Sequence, residues 1–144
     1  MTRRVLSFDP GETTGVCCID YDIIDGRAIF LGYNHLEEIK NNHLIPDKIA
    51  KVKPNTIVYE RFGLYPGRAK ALSHNALLPV EAIGLIKYVA DDLYKKIVCQ
   101  PASMIKRVKL SDVQKKLCGS SPHIQDACKH AIVFIYSQEG KEYV

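Results

Sequence analysis

A short β-type run opens the chain and stops abruptly: Arg4-Val5-Leu6-Ser7-Phe8-Asp9-Pro10-Gly11. Its first residues suit a strand, and Pro-Gly is a strong turn signal. The run therefore predicts a first strand that ends at Asp9. An acid is a poor strand former and is costly to bury without a partner. Such a residue can cap the strand and face water, or it can bind a ligand such as a metal ion.

A second acid stands in the same position at the end of a later run. Thr56-Ile57-Val58-Tyr59-Glu60 is rich in β-branched residues and too short for a helix, with Pro54-Asn55 before it and Arg61 after it. This pattern predicts a buried central strand that ends in the Glu60 carboxylate. The same two interpretations, a capped strand end or a ligand, apply to this acid.

Local patterns outline the elements between and around these runs. Residues 15–20 and 28–33 have strand character, and Asp25-Gly26 between them predicts a hairpin turn, so the opening third reads as an antiparallel meander. Residues 37–52 carry a loose helical pattern that Pro46 interrupts. Residues 63–73 mix Gly, Pro, Arg and Tyr, a composition that predicts a mobile loop.

The second half predicts mainly helices. Residues 76–94 form a long apolar-rich helix, with Pro79 in its first turn or breaking it, and residues 97–99 a short strand. Ser111-Asp112-Val113-Gln114 has the capping-box pattern, with Gly119 as the stop. Ser121-Pro122 opens a last helix. The order of elements predicts an α/β fold, a mixed sheet with helices packed on it, in a single domain over residues 1–144.

The composition excludes several classes of protein. Hydrophobic residues make up 47% and charged residues 25%, which is ordinary globular usage. No run of 18 apolar residues and no signal-peptide pattern is present, so we expect a cytoplasmic protein without a membrane partner. Five cysteines without a CxxC pair argue against a disulfide framework and a zinc cluster. Residues 95–116 hold seven Lys or Arg against one acid, which fits a phosphate-facing stripe or an ordinary solvated face.

The predicted last helix carries a third group of polar residues, His123, Asp126 and His130, broadly on one face. A His and an Asp three residues apart can supply an imidazole nitrogen and a carboxylate to one cation, although a first-turn Asp also simply favours the helix dipole. Together with the two strand-end acids they would form an oxygen-rich site suited to Mg²⁺ or Mn²⁺. Two such ions roughly 4 Å apart can promote phosphodiester hydrolysis.

Three segments of the chain resemble the RuvC family of Holliday junction resolvases. Residues 8–15 are similar to the opening strand and turn of that family, residues 56–62 to its central strand with a catalytic glutamate, and His123-Ile124-Gln125-Asp126-Ala127 to its closing helix. The first motif is shared with sugar kinases, transposases and ribonuclease H, whereas the three in this order are more specific. The resemblance implies a ribonuclease H-like fold, with a five-stranded mixed sheet of three antiparallel and then parallel strands, flanked by helices.

The resemblance also implies an activity: a homodimer that nicks four-way DNA junctions by two-metal-ion hydrolysis with Mg²⁺, or Mn²⁺ in its place. Asp9, Glu60 and Asp126 would be catalytic metal ligands, and His123 lies at a position that is His in some members and Asp in others. The helix from Ala76 would be the dimer element, although a core helix explains its apolar residues equally well. The implied DNA contacts are Arg61, Phe62, Tyr65, Arg68, Lys70, Lys106, Arg107 and Lys109.

The alternatives stay open at this point. The chain is shorter than typical bacterial members and resembles a compact virus-encoded version in the bacterial cytoplasm, which leaves junction selectivity undecided. A ribonuclease H-like nuclease acting on flaps, forks or RNA:DNA hybrids, or an inactive protein that binds branched DNA, fits the same motifs. His130 has no counterpart in the family motif, and it is either a second-best ligand or a helix-face contact.

Overall fold

A computed structural model describes residues 1–62 and 74–139, with the side chains of 1–62 and 77–137. Five strands form one mixed sheet in the order β3-β2-β1-β4-β5. Strands β1, β2 and β3 are antiparallel neighbours, and β4 and β5 continue parallel to β1. The strands are β1 (Arg3–Asp9), β2 (Thr14–Ile24), β3 (Arg27–Ile39), β4 (Thr56–Glu60) and β5 (Lys96–Gln100). The predicted α/β mixed sheet is therefore confirmed.

Within the described ranges, four α-helices cover the two faces of the sheet. They are α1 (Ile45–Val52), α2 (His74–Asp92), α3 (Asp112–Cys118) and α4 (Pro122–Val133). Short 3₁₀ turns precede α1 (Asn42–Leu44) and follow β5 (Ala102–Ile105), and a π-helical turn (Phe134–Glu139) continues α4. No helix in the described ranges is long and apolar enough to cross a membrane.

The core lies in two layers because side chains alternate across a sheet. On one face Leu6, Phe8 and Ile57 pack under α1 and α2. On the other face Val5 and Val58 pack under α4. The buried residues of this layer include Ala127 and Ala131 of α4 and, just beyond the helix, Phe134, as their spacing predicted. The β1 residues of this second face are therefore the odd-numbered ones, which include Asp9.

Two local signals predicted the structure correctly. Asp25 and Gly26 both have positive φ angles, 51° and 73°, as a two-residue hairpin turn of this type requires. The Ser111 hydroxyl accepts from the Gln114 N–H, and the Gln114 side chain accepts from the Ser111 N–H, so the predicted capping box is present and α3 ends at Gly119.

The predicted helix over residues 37–52 was wrong in its first half. Residues 37–39 belong to β3, which pairs with β2 as far as Ile39, opposite Thr14. The helix begins only at Ile45, with Pro46 in its first turn, where a missing N–H costs nothing. Pro79 was also placed wrongly, since it lies inside an unbroken α2 beyond the first turn. The loop predicted over residues 63–73 lies outside the described residues.

Candidate functional site

Three neighbouring strands end in a polar side chain on the face that α4 covers: Asp9 of β1, Glu60 of β4 and Gln100 of β5. β1, β4 and β5 run parallel, so their carboxyl ends meet at one edge. Glu60 is paired with Gln100 in the strand register. In a strand, residues at even spacing lie on the same face of the sheet. Each of these three polar residues follows, at even spacing, a valine that packs in the core layer under α4; the valines are Val5, Val58 and Val98.

α4 approaches this edge closely because β2 carries no side chain at Gly15. Gly15 is paired with Asp9 in the antiparallel register, and the backbone of His123 lies directly against it. A Cβ atom built on Gly15 would overlap the His123 carbonyl and lie 2.8 Å from the Ile124 nitrogen. The first turn of α4 is therefore held next to the end of β1, where the His123 ring meets Asp9.

Asp9 and His123 are in contact across the chain. His123 Nδ1 lies 3.4 Å from Asp9 Oδ2, a long hydrogen bond between residues 114 apart in sequence. The Asp9 carboxyl is nearly enclosed, whereas the side chain of His123 is 42% exposed. The imidazole can therefore reach both the buried acid and a ligand that arrives from solvent.

The acids at this edge influence one another's protonation. Burial, a hydrogen bond with Glu60 and the negative charges of Glu60 and Asp126 together raise the pKa of Asp9 to about 8, with burial the largest cause. The pKa of Glu60 is lowered, first by its hydrogen bond with His130. The raised pKa of Asp9 and the lowered pKa of Glu60 mean that a proton at this edge is held on Asp9 rather than on Glu60. Such a site favours any cation that replaces the proton.

His130 is fully buried and joins two strand ends. Its Nε2 lies 3.1 Å from Glu60 Oε1, and its Nδ1 lies 2.7 Å from Gln100 Oε1. Both His130 and Gln100 are 0% exposed. Of the two roles left open for His130, the structure shows a contact from the helix face to Glu60.

Asp126 lies one turn beyond His123 on α4 and is more open. Its carboxylate is 3.7 Å from the ammonium of Lys129, and its side chain is 39% exposed. Within residues 1–62 and 74–139, no three His, Cys, Asp or Glu side chains are arranged as ligands of one metal ion. The structure thus places His123 against Asp9, and the Glu60 carboxylate beside Asp9, while Asp126 acts on Asp9 through its charge.

The predicted DNA contacts fall in two groups. Arg61 and Phe62 follow directly on Glu60, and the Arg61 N–H donates to the Gln100 carbonyl at 2.8 Å. Tyr65, Arg68 and Lys70 lie outside the described residues. The remaining three belong to the segment after β5, namely Lys106, Arg107 and Lys109.

A basic cleft of about 420 Å³ lies beside α4. Three lysines from different elements line it: Lys109 before α3, Lys115 on α3 and Lys129 on α4. The Lys129 ammonium that faces this cleft also contacts Asp126. The cleft therefore borders Asp126, and of these lysines only Lys109 was among the DNA contacts that the resemblance implied.

Sequence reasoning missed Gln100 altogether. A glutamine between an apolar strand and Pro101 carries little information by itself, since it can end a strand without any partner. The available signal was positional: Gln100 ends the third strand of a set whose other two members end in Asp9 and Glu60.

The fold resembles those of two solved resolvases. Thermus thermophilus RuvC in complex with a Holliday junction substrate superposes with a TM-score of 0.62 over 90% of each chain, at 14% identity. The yeast mitochondrial Holliday junction resolvase Ydc2 gives a TM-score of 0.58 at 16% identity, over 98% of this chain and 81% of that one. The chain therefore has the ribonuclease H-like fold of RuvC. Comparison of the sequence with protein-family models and with curated proteins gives no match.

Proposed function

We propose that the chain is a metal-dependent endonuclease that cleaves branched DNA, with the four-way Holliday junction as its substrate. One observation carries the proposal. Asp9 and Glu60 lie side by side at the ends of adjacent parallel strands, and Asp9 contacts His123 of α4, in a fold shared with two Holliday junction resolvases.

The donor set fits a hard divalent cation. Asp9, Glu60 and Asp126 offer carboxylate oxygens and His123 an imidazole nitrogen, a combination suited to Mg²⁺ or Mn²⁺. The raised pKa of Asp9 reflects crowded negative charge that a cation would neutralise. His123 and Asp126 are both partly exposed, so small rotations of these two side chains toward Asp9 cost little. Bound Mg²⁺ ions, two per site, would activate water and stabilise the leaving oxygen of a phosphodiester.

The protein groups supply the positioning for this reaction. Asp9 and Glu60 sit on strands that the core fixes, so their carboxylates are held at the same edge in every molecule. The buried position of Asp9 excludes water from one side of the centre. Asp126 adds negative charge from the helix side, and Lys129 beside it faces the basic cleft. A DNA phosphate bound in the cleft would therefore lie on the side of the site that Asp126 occupies.

The test of this function is a substrate panel. Purified protein with Mg²⁺ or Mn²⁺ should nick a four-way junction on two symmetry-related strands near the crossover, and EDTA should stop the reaction. Flaps, forks, RNA:DNA hybrids and linear duplex of matched sequence serve as competitors. Preferred cutting of a flap, a fork or a hybrid would assign a different nuclease on the same fold, and binding without any metal-dependent product would assign an inactive junction-binding protein.

We expect the basic cleft to bind DNA phosphates. Replacing Lys109, Lys115 and Lys129 together by Ala should weaken junction binding at least tenfold in EDTA. The slope of log Kd against the logarithm of the salt concentration should also become shallower. The decrease should be up to about 0.9 for each phosphate that the variant no longer neutralises. Fluorescence anisotropy across a salt series measures both quantities. Lys51→Ala, in a separate cleft near Lys48, is the control and should change neither; an unaltered slope in the triple variant contradicts the assignment.

We also propose that α2 forms a homodimer interface. Leu77, Val80, Gly84 and Tyr88 lie three or four residues apart on one stripe of the helix, and all four are exposed. Contiguous exposed apolar surface of this kind marks interaction sites, and Gly84 leaves open space in which a second backbone can approach. A dimer would present two sites to the two symmetric strands of a junction.

The dimer can be tested with paired substitutions. Val80→Glu and Tyr88→Glu should each convert a dimer of twice the 16.2 kDa chain mass into monomers, because an unpaired charge in an apolar interface is costly. Tyr94→Glu changes another exposed tyrosine, beyond the end of α2, and should leave the mass unchanged. Light scattering during gel filtration reports the result. A wild-type protein that runs as a monomer at micromolar concentration contradicts the proposal.

A further inference from the structure

The side chain of His130 is the most enclosed titratable group near the candidate site. It lies on α4 two turns beyond His123, with 0% exposure, against 42% for the His123 side chain. Its two ring nitrogens reach the ends of two neighbouring strands, at Glu60 and at Gln100. No solvent-borne ligand can reach the His130 ring, so it acts only through the groups that it touches.

The hydrogen bonding around His130 is incomplete in one respect. Gln100 Oε1 faces His130 Nδ1 at 2.7 Å, while the Gln100 amide nitrogen is buried with no partner among the described residues. A buried N–H donor without a partner is unfavourable. Turning the amide over, which exchanges its oxygen and nitrogen, gives the donor a partner. Gln100 then donates to His130 Nδ1.

This orientation fixes the tautomer of the ring. With Nδ1 accepting from Gln100, the ring proton is on Nε2, which donates to Glu60 Oε1 at 3.1 Å. A chain of hydrogen bonds then runs from Gln100 through His130 to Glu60, across the two neighbouring strands β5 and β4. It fixes the orientation of one carboxylate oxygen, Oε1, and leaves the other oxygen for a ligand.

We propose that Gln100 and His130 form a buried positioning pair that orients Glu60 as a metal ligand. The pair touches neither DNA nor the ion, and its role rests on the proposed metal-dependent function. Partners behind a metal ligand hold it in the coordinating orientation, and their removal weakens metal binding by about 10–100-fold. We assign this role to His130 in place of direct coordination.

Binding of Mn²⁺ alone provides the main measurement. By titration calorimetry without DNA, His130→Leu and Gln100→Leu should each bind Mn²⁺ at least tenfold more weakly than the wild type. Junction affinity in EDTA should stay within twofold. His130→Gln keeps an N–H at the end of a similar side chain and should recover most of the affinity. His35→Gln is the control because His35 belongs to a second His–Glu pair. His35 contacts Glu37 at 2.8 Å, and Glu37 also contacts Lys48 of α1.

Nitrogen NMR of the histidine rings gives a readout that does not depend on metal or folding yield. His130 should be a single tautomer with its proton on Nε2, and Gln100→Leu should turn it into a mixture. Variants that bind Mn²⁺ as tightly as the wild type, or a ring protonated on Nδ1, would overturn the positioning pair while leaving the nuclease proposal intact. Failure of the wild type to bind Mn²⁺ would overturn both.

Discussion

Replacing Asp9 by Asn should abolish junction cleavage and at the same time stabilise the metal-free protein. Removal of a ligand that positions a catalytic ion takes away several kcal/mol of transition-state stabilisation, which corresponds to a rate decrease of roughly a thousandfold or more. The gain in stability has a separate cause, because Asp9 is an acid held in a buried site beside two other acids.

The sign of the stability effect follows from the pKa of Asp9. An unfolded Asp ionises near about 3.9, whereas burial and its acidic neighbours raise the pKa of Asp9 in the fold to about 8. Between these values the folded chain binds more protons than the unfolded chain, so its free energy of unfolding falls as the pH rises from about 4 to about 8. The amide of the Asp9→Asn variant does not titrate, so position 9 does not lower the free energy of unfolding of this variant as the pH rises.

Chemical denaturation in EDTA at several pH values measures the effect. The difference between Asp9→Asn and the wild type should be small near pH 4 and reach about 2 kcal/mol or more at pH 8.5, since each unit of displaced pKa is worth about 1.4 kcal/mol. Asp91→Asn, on exposed α2 surface, should show neither effect. Wild-type cutting by the Asp9→Asn protein, or lower stability at every pH, would contradict the assignment of Asp9.

Gly15→Ala should damage the fold and the activity together. The added methyl group would overlap the His123 carbonyl and lie 2.8 Å from the Ile124 nitrogen, and both of these are backbone atoms. α4 must therefore move away from β2. Overpacking costs about 1–3 kcal/mol, and we expect the upper end here because no flexible side chain can yield. A shift of about 1 Å in catalytic groups lowers the rate about a hundredfold, so cleavage should fall by at least that factor.

The control adds a methyl group on exposed surface outside α2, in Ser103→Thr. Surface substitutions of this kind usually change stability by less than about 0.5 kcal/mol, so this variant should keep the stability and the nicking rate of the wild type. Urea denaturation and the nicking assay on both variants provide the comparison. A Gly15→Ala protein with wild-type stability and rate would show that α4 does not depend on this close approach.

The parts of the fold that were predicted correctly depend on neighbours in sequence. The Asp25-Gly26 turn and the Ser111 capping box are each specified by two to four adjacent residues, so their sequence patterns are sufficient. The end of β3 is different. Residues 37–39 are extended because β2 lies alongside them and supplies their hydrogen bonds, and no local pattern indicates this pairing.

The same distinction applies to the candidate site. The acids Asp9 and Glu60 stand out in the sequence because each is the last residue of an otherwise mainly apolar strand. The partnership of Gln100 with His130 could not be predicted, because it joins the end of β5 to the third turn of α4 through a contact between ordinary polar residues. The need for glycine at position 15 is likewise visible only when α4 is in place.

The contact between Asp9 and His123 spans 114 residues of chain, and this separation has a consequence for biosynthesis. A growing polypeptide can form the β1–β2–β3 meander early, but the site proposed for catalysis stays incomplete until α4 has left the ribosome. Long-range contacts of this kind also form late in folding, because loop closure must precede them. On the proposed function, a nascent or truncated chain without α4 is thus expected to be unable to cut DNA.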